Sequence, residues 1–350
     1  MPTILADGIA AVLKKILAAL VVLLISSYFV SMGLGLFLIY AMPQGLDAAS
    51  RQVAELPFSV LMNVNFRIPL GVSVGFFFLV IWLLYSGAFI LAWFDRPSFP
   101  SSLRSLSRPD VWRSNYLVAL PQFASVLFVA VVFLQALQES AGVQTGGISF
   151  ESPVLGFLSI SYAPLVEEFS YRITTIGILD GLNHIWKMRR LPSNQGRISA
   201  IRLLMLNIWK PERAKEVLGY NTIRNDGVRR GISRFEWIVL VLTSGAFGAV
   251  HYLSGGGWEI GKISTAMLSG FAMGFVYLRY GVYAPILLHW FFNYYFGTFD
   301  LASQLNMAGS DSASFAVELL NLGTGALLVV ATVAIYLLGT WSSKHHKTQM

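Results

Sequence analysis

Glu167 and Glu168, with Arg172 four residues further on, stand inside an apolar stretch from Pro153 to Leu182 that is long enough to cross a bilayer. A charged side chain at the bilayer centre costs at least about 2.5 to 3.5 kcal/mol, so such groups are functional candidates. Positions four apart share a helix face and adjacent positions diverge by about 100°. Glu168 and Arg172 are therefore expected to form a buried structural ion pair, because one unpaired charge there would cost more than the pair. Glu167 points elsewhere and remains as the free carboxylate. Acting as a base would require water and nearby donors to keep it ionised. Pro164, three residues before it, lacks an N–H and clashes with the preceding turn, which predicts a kink that admits water.

Two further groups of this kind follow. Phe247-Gly-Ala-Val-His251 closes one apolar segment, and His289-Trp-Phe-Phe-Asn293 lies in another, with His289 and Asn293 on one face. A single histidine on an apolar helix more often satisfies a carbonyl than performs chemistry. Two of them, an Asn and a Glu pair on three helices of one region point to a site.

The elements that must position these residues are membrane helices. Hydrophobic residues make up 55% of the 350 and charged residues 12%, beyond the balance of a soluble domain. A spanning helix needs about 20 apolar residues, and eight segments qualify, near 16–41, 70–94, 115–137, 153–182, 236–254, 262–279, 282–299 and 315–340. The expected fold is all-α: a polytopic membrane protein whose core is helices 4 to 7. The division is a three-helix N-terminal scaffold over 1–150, a core over 151–300 and a C-terminal helix with basic tail over 301–350. The first segment, despite Lys14 and Lys15 before it, is too long for a cleavable signal. Gly270 and Gly274, four apart in the sixth, allow close helix approach.

Lys and Arg concentrate in loops on one side of these spans, which places both termini in the cytoplasm, in the plasma membrane of a prokaryote. The densest run is the loop 183–234, with twelve basic residues from Lys187 to Arg234 against Glu212, Glu216 and Asp226. Ile198, Ile201, Leu204, Met205 and Ile208 recur there at helical spacing, which predicts an interfacial helix. A second short helix is expected from Pro211 to Gly219. The loop should contact anionic headgroups. The net charge of +7 is explained by this asymmetry, so no nucleic-acid partner is expected. Cysteine is absent, which removes thiol nucleophiles and thiolate metal ligands.

Glu-Glu-x-x-x-Arg at 167–172, Phe-x-x-x-His at 247–251 and His-x-x-x-Asn at 289–293, in that order on separate helices, resemble the CPBP family of intramembrane endopeptidases. That family includes the type II CAAX prenyl endopeptidases and the bacteriocin-processing, or Abi, proteins. The resemblance implies an eight-helix fold with its catalytic core in helices 4 to 7. It also implies that Glu167 and His251 activate water while His289 and Asn293 hold the oxyanion. The implied substrate is a membrane-associated protein or peptide, a prenylated tail or a leader peptide, and no cofactor is implied.

Alternatives use the same atoms or their neighbours. Two His and one Glu could bind zinc with an open position, although His-Glu-x-x-His is missing. Ser170 and Ser244 have no His four residues away, and Asp180 has no second intramembrane Asp. A transporter should carry broken helices in both halves, whereas the polar groups here lie in one. A catalytically silent binding or immunity protein would keep the motifs without turnover.

Overall fold

The computed structural model describes residues 2–62, 64–105, 111–189 and 198–347, with the two chain ends described by their backbone alone. Arg108, Arg190 and Arg197, and the side chains of Lys14, Lys344 and Lys347, lie outside the described residues.

Eight long helical passages organise the described chain: Pro2–Tyr40, Val74–Phe94, Tyr116–Ser140, 153–188, Arg234–Leu253, Gly261–Tyr280, 283–304 and Ser310–Lys347. They are numbered first to eighth below. Five contain stretches long and apolar enough to cross a membrane: Lys15–Tyr40, Val74–Phe94, Tyr116–Ser140, Arg234–Leu253 and Ser310–Ala334. The protein is thus an all-α, integral membrane protein with almost no sheet. The other three passages include the carriers of Glu167 and His289, where polar residues dilute the apolar pattern.

Local chemistry fixes several boundaries. Ser73 caps the second passage by accepting from the Phe76 N–H. Asn115 caps the third, and its Nδ2 also donates to the carbonyls of Ala92, Asp95 and Pro97, tying together the turn between passages two and three. A reciprocal capping box of Ser233 and Glu236 starts the fifth. The fully buried Glu236 is balanced by Lys215 at 2.6 Å.

One departure from the sequence expectation lies outside the helices. Residues 52–73 form an antiparallel hairpin, β1 (Gln52–Val60) and β2 (Val64–Ser73), so the second passage begins at Val74 rather than near 70. The loop after the fourth passage holds the expected short helices, Ala200–Trp209 and Pro211–Val217, the latter followed by Gly219 at φ +70°. Several of its cations are already paired: Lys215 to Glu236 in the interior, Lys210 to the part-buried Asp95, and at the surface Arg213 to Glu216 and Arg224 to the Arg96 carbonyl.

The core is aromatic. Trp290, Phe291, Tyr294 and Tyr295 of the seventh passage are fully buried against Tyr28 of the first and Phe89 of the second. Tyr28 and Tyr295 meet edge to face at 4.8 Å, and Phe89 and Trp290 at 5.1 Å. Such pairs contribute about 0.5–1.5 kcal/mol each beyond area burial. They clamp the seventh passage against the N-terminal scaffold and so fix the height of His289.

Candidate active site

The fourth passage is an α-helix to Glu168, a π-helix over Phe169–Ile176 and an α-helix again to Met188. The seventh likewise opens into a π-helix over Phe291–Tyr295. π-Helical turns widen the backbone ring by one residue and are frequent at functional sites. Both lie against the ionisable groups. The break expected at Pro164 takes a different form: Pro164 stays within the α-helix, and the widening comes five residues later. Its consequence is chemical. Lacking an N–H, Pro164 leaves the Ile160 carbonyl without its helical donor, and Asn293 Nδ2 donates to that carbonyl at 3.0 Å. Asn293 is thereby anchored to the helix that bears the carboxylates, with its second amide N–H uncommitted in that bond.

Glu167, His251 and His289 converge. Glu167 Oε2 lies 3.9 Å from His251 Nε2 and 3.8 Å from His289 Nε2. The Glu167 side chain is 30% exposed, yet its Oε2 faces inward, buried and without a hydrogen-bond partner. His251 lies near the end of the fifth passage and His289 near the start of the seventh, so these passages are staggered along their axes and one carboxylate meets both. Asn293 joins them through Ile160, about two turns before Glu167 on the same helix.

The imidazoles are oriented differently. His251 Nδ1 is 2.7 Å from the Phe247 carbonyl, which makes it the N–H donor and leaves Nε2 as an acceptor facing Glu167. His289 Nδ1 is 2.8 Å from Glu168 Oε1, so that N–H donates to a carboxylate. The same oxygen accepts from Arg172 Nη1 at 3.0 Å, and Arg172 Nη2 donates to the Gly270 carbonyl at 3.0 Å. Glu168 and Arg172 are almost wholly buried, with side chains 0% and 1% exposed. The Phe247 ring lies 4.3 Å from the guanidinium and edge to face with both imidazoles.

Spacing on one helix could not reveal that Glu168 joins Arg172 to His289 across 121 residues. Two signals did exist in the sequence. Pro164 identifies Ile160 as an orphaned acceptor, and Gly270 marks a close approach. A Cβ at Gly270 would lie 3.0 Å from Phe247 Cδ1 and 3.1 Å from Arg172 Nη2, so glycine lets the sixth passage present its carbonyl there without pushing either neighbour back. Ser244 Oγ donates to the Leu240 carbonyl, and Ser170 Oγ and the Asp180 carboxylate oxygens are buried without a hydrogen-bond partner, so none of the three is hydrogen-bonded to this cluster. Among the described residues no group of three His, Asp or Glu side chains is arranged to hold a metal ion.

This arrangement can activate a water molecule between a carboxylate and an imidazole acceptor, beside a second imidazole and an amide. Comparison with known proteins agrees with a hydrolase. Residues 149–295 match the family model described as Type II CAAX prenyl endopeptidase Rce1-like, a span that contains every residue of the cluster. No curated protein and no solved structure matches the chain. Over that span the chain is similar to the type II CAAX prenyl endopeptidases, which supports the resemblance to CPBP intramembrane endopeptidases.

Proposed function

We propose that the protein is an intramembrane endopeptidase that hydrolyses a peptide bond of a membrane-associated protein or peptide by glutamate-activated water. Glu167 and His251 are the residues that activate water, and His289 and Asn293 hold the oxyanion. The observation that carries this reading is Glu167 Oε2, buried, unpartnered, and within 4 Å of two imidazole Nε2 atoms.

A water about 2.8 Å from Glu167 Oε2 and from His251 Nε2 fits their 3.9 Å separation. It donates one O–H to the Glu167 carboxylate and the other to His251 Nε2, which leaves a lone pair for the substrate carbonyl carbon. As the new C–O bond forms, Glu167 takes the proton and the carbonyl oxygen becomes an oxyanion. His289, entering the step as the imidazolium with a proton taken from bulk water beforehand, donates from Nε2 to that charge, as does the free Asn293 N–H. Glu168 offsets the imidazolium from behind. Collapse breaks the C–N bond, and the proton returns to the leaving amine. General-base action contributes about 10² to 10⁴ in rate, and each oxyanion donor about 10² to 10³.

The mechanism needs no cofactor. The zinc alternative would use Glu167, His251 and His289 as ligands, and a test must separate the two. Purified protein and its Glu167→Gln variant are compared on a quenched peptide with a prenylated CAAX tail, with and without chelator, and membrane-protein termini are compared in cells with and without Glu167. The expected result is chelator-resistant cleavage lost in Glu167→Gln, with unchanged thermal stability. Cleavage abolished by chelation and restored by zinc would move the reading to a metalloprotease. Cleavage retained in Glu167→Gln would remove Glu167 from the mechanism, and no cleavage by either form together with unchanged cellular termini would favour a silent binder. The charge asymmetry further supports cytoplasmic termini and a prokaryotic plasma membrane.

A further inference from the structure

The hairpin lies along the helix that carries Glu167. The Tyr162 hydroxyl donates to the Pro57 carbonyl at 2.9 Å, and Phe58 packs on Phe169 with ring centroids 5.1 Å apart. At the tip, the Met62 N–H donates to the Ser170 carbonyl at 3.3 Å and the Leu61 N–H to Thr174 Oγ1 at 3.0 Å. Leu61 and Met62 adopt φ of +47° and +68°, a conformation that bulky residues avoid and that persists where surroundings enforce it. Here the enforcing contacts come from residues three and seven positions after Glu167. Ser170 is about 25 Å along the fourth passage from its start at 1.5 Å per residue, so the hairpin descends beside a membrane helix to the level of the site.

That position makes the outer edge of β2 anomalous. The sheet has two strands, and among the described residues nothing but β1 pairs with β2. In an antiparallel pair each residue turns both its N–H and its C=O either toward the partner strand or away from it. The Pro57 carbonyl turns away to Tyr162, so its register partner Arg67 turns its N–H and C=O to the free edge, as does Asn65 two residues before. Open sheet edges do not face lipid at membrane depth; they are covered by protein or line a wet cavity. The side chains of Val64, Phe66 and Ile68 share the sheet face with Leu56 and Phe58, which packs on the fourth passage, yet they are 49%, 50% and 39% exposed.

We propose that the hairpin is the substrate-docking element: an extended segment of the peptide adds as a third strand to the outer edge of β2. Backbone pairing at Asn65 and Arg67 holds it straight, and its apolar side chains lie against Val64, Phe66 and Ile68. The occupant is the peptide substrate because the hairpin tip rests on residues three and seven positions after Glu167 and the free edge offers what an extended apolar backbone needs, in the manner of strand addition to exposed sheet edges. An unfolded strand is also the conformation in which a peptide bond is accessible to attack. The inference rests on the peptidase reading, and its test separates the two.

The chain contains no cysteine, so a single introduced one reports without background. Full-length Glu167→Gln protein carrying Asn65→Cys, Arg67→Cys or, on an exposed face of the second passage, Leu83→Cys is incubated with apolar peptides ending in a prenylated CAAX tail. Each peptide bears a thiol-reactive group at a different position. Labelling at 65 and 67 should alternate with every second probe position, exceed that at 83 by about tenfold, and fall when the probe backbone is N-methylated. In protein retaining Glu167, Arg67→Pro should raise KM about tenfold with kcat nearly unchanged, while Arg67→Ala, which keeps the N–H, should not. Labelling without alternation, or Arg67→Pro with wild-type KM, overturns strand docking even if cleavage is normal. Alternating labelling in a protein that never cleaves the probe overturns the hydrolysis reading and leaves the docking strand standing.

Discussion

Glu168 serves two partners, and that predicts a substitution pattern in which stability and activity separate. Its Oε1 accepts from Arg172 at 3.0 Å and from His289 at 2.8 Å in a fully buried position. Glu168→Gln leaves the Arg172 guanidinium buried without its counter-charge, which costs about 3–5 kcal/mol; Arg172→Met strands the carboxylate and should cost a similar amount. At about 2–4 °C per kcal/mol, each single variant should melt on the order of 10 °C lower. The double variant removes both charges and fills the space with groups of similar volume. Most of the lost stability should therefore return, with a coupling energy of about 2–4 kcal/mol. Activity should not return. A glutamine oxygen can still accept from His289 Nδ1–H and hold the ring, but it cannot offset an imidazolium as a carboxylate does. Loss of that charge behind a catalytic histidine should lower kcat by at least about 10² in both Glu168→Gln and the double variant. The assay is a double-mutant cycle on melting midpoints in detergent, run beside peptide turnover. Additive destabilisation would show that the pair is not coupled. A double variant with wild-type kcat would show that Glu168 is only the counter-ion of Arg172.

Three other outcomes follow from single contacts. Pro164→Ala supplies an N–H to the Ile160 carbonyl and displaces Asn293 from it; the helix should gain up to about 3 kcal/mol of propensity while turnover falls, so equal or higher turnover would refute the anchoring of Asn293. Gly270→Ala places a methyl 3.1 Å from Arg172 Nη2 and should lower melting midpoint and turnover together, and a wild-type midpoint would show that the sixth passage is free to withdraw. In the basic loop, Arg202, Arg229 and Arg230 are exposed while Lys215 is buried on Glu236, so charge removal at the three exposed arginines should weaken binding to anionic vesicles by about 1 kcal/mol each. Removing Lys215 instead should cost stability, and equal effects on vesicle binding would contradict that division.

Composition and length made the membrane helices legible, because a bilayer demands about 20 apolar residues per crossing; eight helical passages lie where eight were expected, and five of them are long and apolar enough to cross. The polar residues were legible for the same reason, as exceptions within that pattern. What the pattern concealed has physical causes. The hairpin carries Pro57 in β1 and Pro69 with Gly71 in β2, residues that normally argue against a strand. Its apolar end runs without interruption into Val74, which made the second helix look longer. The π-helical openings leave no periodic trace over five to eight residues. The stagger that brings His251 and His289 to one carboxylate is a property of how passages five and seven pack, set by Gly270, Gly274 and the aromatic clamp on Trp290, and neither passage encodes it alone.

These features account for how a membrane interior tolerates so much charge. Glu168 Oε1 and the Gly270 carbonyl accept from Arg172 and His289, and Phe247 closes over the guanidinium, while Glu168 Oε2 is buried without a hydrogen-bond partner. Glu167 is adjacent in sequence but turned about 100° away, and it meets only imidazoles at distances too long for direct hydrogen bonds. The helix thus divides two neighbouring carboxylates between scaffold and chemistry. A buried pair is weak evidence for stability, since apolar replacements often do as well. Its retention here is explained by what it holds: a histidine whose second nitrogen faces the unpartnered oxygen of Glu167. On the proposed mechanism the structural pair and Glu167 act as one device, and losing either should silence the site by a different route.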